Sequence, residues 1–343
     1  MIQLTVSAPG KLMLLGEHSV VYNRPCLVTA VDHRLQAKLT KLNNKKLAIN
    51  APDLDLNNYN KSLSQLGKGN IPKAAQFVEI ATKNFQDKYG LDFGLSISTS
   101  SQFKASFGFG SSSAAAVCTI KGLAELTGVK LSKREVFDLS YKTVLDVQGV
   151  GSGFDVAAAV YGGTLYFVTG GKTIESIQAR QGRSFHEVHG VKGETLSELQ
   201  LVVGYTGTKG NTATIVKELA ERSKKNRTMT TFIYDTITDL VNRGRKSLEQ
   251  QDWQSFGDLM RINHGLLVQL GVSTEKLDEL VSSALIAGAY GAKLSGAGGG
   301  DCMIALTSSE TKRNVEKAII QAKGELINIH TSAPGVQLEL CQR

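Results

Sequence analysis

From Phe107 to Cys118 the chain reads Phe-Gly-Phe-Gly-Ser-Ser-Ser-Ala-Ala-Ala-Val-Cys, so two glycines and three serines run straight into an apolar helix start. No other stretch limits the fold as tightly. Glycines let a backbone pass close to an anion, and the helix that follows aims unpaired N–H groups and the positive end of its dipole at the same place. Gly94–Ser98 reads as the strand that feeds this loop. The segment lacks the Gly-Lys-Ser/Thr ending of a Walker A loop, and Ser113 and Ala114 stand where a dinucleotide fingerprint could place its third glycine. A plain turn with serines as helix N-caps would use the same residues, so the segment alone leaves cradle and turn both open.

A second cluster, Gly296-Ala297-Gly298-Gly299-Gly300-Asp301, lies between the strand-like Ala292–Leu294 and Met303–Leu306. A hairpin asks for one or two glycines, whereas four in five positions suggest backbone passing close to a ligand. A third, Gly149-Val150-Gly151-Ser152-Gly153-Phe154-Asp155, presents an acid on a glycine-rich bend, where a lone aspartate is most often a helix cap. The fourth element is Ser7-Ala8-Pro9-Gly10-Lys11 followed by Gly16-Glu17-His18-Ser19, a lysine early in a strand and an acid and imidazole at its end. Taken singly, Lys11 reads as a surface residue and His18 as a satisfied histidine. Joined to two phosphate loops, the set supplies a lysine, an aspartate and metal-binding oxygens for phosphoryl transfer.

Around these motifs, Leu4–Val6 and Leu12–Leu15 read as two strands with Pro9-Gly10 as the turn between them. Residues 72–85 carry apolar side chains at helical spacing, with Pro72 near the first turn. Ser132 and Glu135 make a capping box for a helix to about Val147. Ala157–Tyr161 reads as helix and Thr164–Val168 as strand. The hydrophilic stretch 170–198 is the expected boundary between two lobes, 1–185 and 186–343, and Leu199–Tyr205 opens the second with a strand. Helical patterns follow at 212–223, 229–249, 251–270 and 274–288, then a helix near 309–323 and two closing strands. A chain of 343 residues exceeds one ordinary core and suits two lobes.

The net charge of +8 comes from dispersed basic pairs such as Lys45-Lys46 and Lys224-Lys225, with no long basic run or interleaved aromatics. That argues for a solvated surface tolerant of anionic metabolites and against nucleic acid. No stretch approaches the ~18 apolar residues of a membrane span, the N-terminus has no signal-like apolar run, and the four cysteines show no CxxC spacing. The expectation is a cytoplasmic protein with reduced thiols, no membrane partner and no zinc site.

In this order, the four elements resemble the GHMP small-molecule kinase superfamily across essentially the whole chain. Pro9–His18, Gly108–Ala114 and Lys293–Gly300 match its three motifs, and Ala8–Lys11, Gly16–Tyr22, Lys293–Gly300 and Asn211-Thr212 are similar to its mevalonate kinase branch. The resemblance implies an α+β, two-lobed fold: an N-terminal lobe like domain 2 of ribosomal protein S5, a ferredoxin-like C-terminal lobe, and the site between them. It implies ATP and Mg2+ as cofactors, Asp155 as catalytic aspartate and Lys11 as the lysine that contacts it. Gly108, Phe109, Gly110, Ser111, Ser112 and Ser113 would bind ATP, with Ser112 also a metal ligand. Glu17, His18, Thr212, Gly296, Ala297 and Gly298 fall on the acceptor side. The implied acceptor is mevalonate or 5-phosphomevalonate, and a homodimer is compatible with the pattern. Two departures stand out: Val144 replaces a glutamate that many mevalonate kinases use for magnesium, with Asp146 the nearest acid, and Asp301-Cys302 and the Asp155 context resemble phosphomevalonate kinases. A mevalonate-derivative decarboxylase and a non-catalytic nucleotide- or RNA-binding module would share the scaffold, but retention of both Lys11 and Asp155 argues against the latter.

Overall fold

A computed structural model describes residues 2–179, 194–195 and 198–339. The expected lobe boundary at 185/186 lies outside the described residues. The first half contains strands β1 (Gln3–Leu15), β2 (Pro25–Leu42), β3 (Lys46–Ala51), β4 (Leu56–Ser62), β5 (Gly94–Ser101), β6 (Thr164–Val168), β7 (Thr173–Ser176) and β8 (Gln178–Ala179), and helices α1 (Gln76–Tyr89), α2 (Ser111–Thr127), α3 (Lys133–Gln148) and α4 (Phe154–Tyr161). The second half contains β9 (Glu194–Thr195), β10 (Leu201–Tyr205), α5 (Thr212–Lys225), α6 (Arg227–Gln250), α7 (Trp253–Gln269), α8 (Glu275–Ile286), β11 (Gly291–Ser295), β12 (Cys302–Leu306), α9 (Lys312–Gln321), β13 (Glu325–Ile327) and β14 (Gln337–Glu339).

The larger sheet runs β14-β1-β2-β5-β3-β4, with β6 also on β2 and β7 on β6. The two expected strands at the N-terminus are in fact one. β1 pairs with β2 from Gln3 opposite Thr40 to Leu15 opposite Leu27, and its register shifts at Pro9/Gly10. Proline cannot donate to the ladder, so the irregularity falls at Pro9, and the strand continues as a bulge rather than turning. The first helix also starts later than its spacing suggested, at Gln76 rather than Pro72. The helices α1 to α4 pack on one another, and α2 and α4 rest on β1 and β2. Leu12, Leu27, Leu39, Ile97, Phe85, Ala116 and Val156 are buried in that core.

The second sheet, β11-β12-β10-β13, is antiparallel throughout. Its chain order, a strand, helices, two strands, a helix and a strand, is the ferredoxin-like pattern that the resemblance implied. Helices α7, α8 and α9 cover it. All five residues of β10, β11 and β12 are buried, which explains their continuous apolar runs. The chain then returns: β14 pairs with β1, and Val31 bridges Thr331, so the last residues complete the first sheet. Two polar links join the sheets at the site. Ser295 exchanges hydrogen bonds with the Met13 backbone at 3.0 and 3.1 Å, and Lys293 pairs with Glu17. None of the described helices is long and apolar enough to cross a membrane. Cys26, Cys118 and Cys302 are free, buried thiols.

Candidate active site

The loop Gly108–Gly110 lies directly against β1: the Lys11 N–H donates to the Phe109 carbonyl at 3.0 Å, and a Cβ on Gly10 would come within 3.1 Å of Phe109 Cβ. Gly108 and Gly110 adopt φ of 71° and 84°, the left-handed region that glycine enters without strain. Gly110 is the N-cap of α2, and no side chain caps that helix. Ser111, Ser112 and Ser113 therefore begin the helix without blocking it, and its first N–H groups are left for an anion. This uncapped start has the geometry of a cradle, and its serines do not serve as N-caps.

The serines have different jobs. Ser113, expected among the ATP contacts, is buried and donates its hydroxyl to Asp155 Oδ2 at 2.7 Å. The Ser112 hydroxyl bonds nothing among the described residues and stays available. Phe109 contributes only backbone, because its ring is buried against Phe103 and Phe107 at 5.6 and 5.7 Å.

Asp155 sits in the first turn of α4, which starts at Gly153 (φ 91°), again without a side-chain cap. Its Oδ1 accepts the Val156 N–H at 3.1 Å. Lys11, only 8% exposed, donates to the Gly108 carbonyl at 2.7 Å, and its ammonium lies 5.2 Å from the Phe154 ring. No ion pair within 4 Å joins Lys11 to Asp155 among the described residues; instead both side chains flank Gly110, where an added Cβ would touch Asp155 Cβ at 3.4 Å and Lys11 Cγ at 3.5 Å. Burial pushes the Lys11 pKa below its ordinary value, while Asp155 and then Asp301 pull it back up.

Among the residues expected on the acceptor side, His18 is buried at φ 60° and its Nε2–H donates to the Ala297 carbonyl at 2.9 Å. A neutral ring there donates from Nε2 and keeps Nδ1 as an acceptor. Burial holds its pKa below the usual value against the Ala297 carbonyl and Glu17, and Arg222 lowers it further. Glu17 departs from its expected acceptor role. It is 1% exposed, and its two oxygens take Lys293, itself buried, and Asn263 Nδ2 at 2.9 Å. It is a strut between β1 and β11, since an unpaired buried charge would be costly. Gly298 is likewise corrected: a Cβ there would collide with the Val272 carbonyl at 2.0 Å, so its smallness serves contact with protein backbone. Gly296 at φ 109° has open space around it, and Thr212 opens α5 beside its N-cap Asn211.

The residue that spacing did not assign is Asp301. It is 6% exposed with φ 59°, a left-handed backbone that aspartate, asparagine and glycine adopt more readily than other residues. Its Oδ1 accepts the Gly210 N–H at 2.9 Å, and its backbone exchanges bonds with Thr206 and Thr208 at 3.0 and 2.8 Å. Oδ2 lies 3.1 Å from where a Gly108 Cβ would be. Burial raises its pKa, opposed by Gly210, Lys11 and Lys209. Neither residue suggested near the missing glutamate reaches the site: Val144 is buried in apolar core, and Asp146 pairs with Lys142 and accepts from Asn84 at 2.9 Å.

Residues 76–163 match the family described as GHMP kinases N terminal domain, and residues 245–326 match GHMP kinases C terminal. The mevalonate kinase of Pyrococcus furiosus is 33% identical over 98% of this chain and 99% of its own. That of Pyrococcus abyssi is 35% identical over 97% of each. The crystal structure of the Methanococcus jannaschii mevalonate kinase superposes with a TM-score of 0.78 at 25% identity, covering 97% of this chain and 99% of that one.

Proposed function

We infer that this chain, which belongs to the GHMP kinase family, transfers the γ-phosphoryl group of ATP to the hydroxyl of mevalonate, giving 5-phosphomevalonate and ADP. The carrying observation is that Lys11 and Asp155 both flank Gly110 at the uncapped start of α2. The backbone of Gly108–Ser111 and the N-terminus of α2 hold the phosphates. The acceptor oxygen attacks the γ-phosphorus, the bond to the β-γ bridging oxygen breaks with ADP leaving, and Asp155 takes or orients the hydroxyl proton. Ser113 and the Val156 N–H fix the carboxylate for that task. Lys11 offsets negative charge on the transferring group, and because its site is dry its effect is stronger than in water.

The unengaged Ser112 hydroxyl and the acids flanking Lys11 suit a hard divalent cation that takes its other ligands from phosphates and water. Magnesium bound there would supply positive charge to the γ-phosphoryl oxygens during transfer.

Mevalonate is favoured over its phosphorylated product by the relatives and by the cations. A second phosphate asks for two or more free basic groups. Of the basic side chains near the matched motifs, Arg24 is paired with Asp235 and Lys104 with Glu325, leaving Lys209. A single carboxylate asks for less. Steady-state kinetics with both acceptors at saturating Mg-ATP should give kcat/KM for mevalonate at least about tenfold above that for 5-phosphomevalonate. A ratio favouring the phosphorylated acceptor would reassign the enzyme as a phosphomevalonate kinase, and silence with both would undo the acceptor assignment.

A further inference from the structure

We propose that Asp301 holds the divalent cation that accompanies the nucleotide, through the carboxylate oxygen that faces Gly108. This rests on the kinase reading above and adds a ligand to it. Three observations converge. Asp301 is only 6% exposed, and its Oδ1 is spent on Gly210, yet among the described residues Oδ2 accepts no hydrogen bond, and it lies 3.1 Å from where a Gly108 Cβ would be. The backbone is held at φ 59° by bonds to Thr206 and Thr208, so the loop fixes where the carboxylate sits. Third, the other acids are committed or placed elsewhere. Glu17 is closed off by Lys293 and Asn263, Asp146 by Lys142 and Asn84, and both Asp155 oxygens already accept bonds, from Ser113 and the Val156 N–H.

Electrostatics then gives the direction. A carboxylate beside a triphosphate repels it, and Lys11, already shared between Asp155 and Asp301, cannot neutralise everything there. A divalent cation between carboxylate and phosphate turns that repulsion into two attractions. Among the described residues no three histidine, cysteine or acidic side chains gather into a metal cage. The ion would therefore bind with the nucleotide and not before it, in the manner of magnesium held by one or two carboxylates plus phosphates.

The metal itself tests this without turnover. Mn2+ binding to the complex of the enzyme with a non-hydrolysable ATP analogue is read by the EPR signal of free Mn2+, and analogue binding is read separately in EDTA. Asp301→Asn keeps an oxygen for the Gly210 N–H and suits the left-handed backbone, whereas Asp301→Gly removes the carboxylate and relaxes the backbone altogether. Both should weaken Mn2+ by about tenfold or more, the range seen when groups supporting a metal are lost, while metal-free analogue binds as well as to wild type or better. Asp146→Asn should leave Mn2+ affinity alone. Mn2+ affinity within about twofold of wild type in both Asp301 variants, equal weakening of metal-free analogue, or uptake of a proton by wild type that both variants lack would overturn the proposal. A wild-type protein that bound no analogue would instead count against the kinase reading.

Discussion

Two neighbouring helices, α2 and α3, begin in opposite ways, and both begin at serines. At α3, Ser132 accepts the Glu135 N–H at 3.3 Å while Glu135 returns a bond to the Ser132 N–H at 2.9 Å, so the helix end is closed. At α2, the cap is Gly110 and none of the three serines turns back on the helix. One of them reaches across to Asp155 instead. The closed end satisfies its own donors. The open end leaves them unmet, which a folded protein tolerates where a ligand supplies the partner. α4 also starts at a glycine, Gly153, without an N-cap side chain, although Asp155 in its first turn accepts the Val156 N–H, so the proposed chemistry lies between two glycine-led helix starts and away from the closed one.

The harshest way to break the comparison is at the second glycine-led start. Asp155→Asn keeps shape and the bond from Ser113 but removes the charge and the proton acceptor. Turnover should fall by ~10²–10⁴, the range for acid–base groups, with ATP binding within a few-fold of wild type. Stopped-flow or steady-state kinetics on the folded variant checks it. A kcat above about a tenth of wild type would mean that Asp155 only caps α4.

Glycines at similar φ sharpen the contrast next. Gly110→Val forces a β-branched residue to 84° and into the gap between Asp155 and Lys11, so KM for ATP should rise about tenfold or more. Gly128→Ala, at 75° past the end of α2 with nothing within 4 Å, should cost on the order of 1 kcal/mol of stability and leave kinetics unchanged. If both variants behaved alike, strain and not ligand contact would explain Gly110.

How much of this could be seen in the residues alone follows the same division. The capping box at Ser132 and the strand Thr164–Val168 were legible because their signals are local: two side chains three apart, and a threonine with four apolar residues between turns. The long strand β2, with β3 and β4, was not read, because β2 is buried on both faces near Pro25–Val31 and half exposed beyond it, which hides any single period. At the site, glycine spacing and family resemblance pointed to Gly108–Ser113, Lys11 and Asp155. Which serine bonds Asp155, that Lys11 and Asp155 flank Gly110, and that Glu17 is a buried strut with Lys293 depend on contacts between residues far apart in the chain. Asp301 was visible as the residue after a glycine run and as a point of resemblance to phosphomevalonate kinases; its unshared oxygen belongs to the folded loop.

The smallest effects belong to one substitution made at each kind of helix start. Ser132→Ala removes the acceptor for the Glu135 N–H on a solvent-exposed end, so it should cost about 1 kcal/mol, lower Tm by a few degrees at most, and leave kcat and KM where they were. Ser132→Asp should restore the loss, because aspartate caps as well as serine. Ser113→Ala removes no cap. It frees Asp155 Oδ2 from its 2.7 Å bond, so its cost should appear in kcat, about tenfold for a hydrogen bond to a charged group, with Tm little changed. Thermal melts and initial rates on the same three preparations decide the matter. Should Ser113→Ala lower Tm as Ser132→Ala does and spare kcat, the serines of α2 would be ordinary helix starters, and the difference between the two helix ends would lie in Gly110 alone.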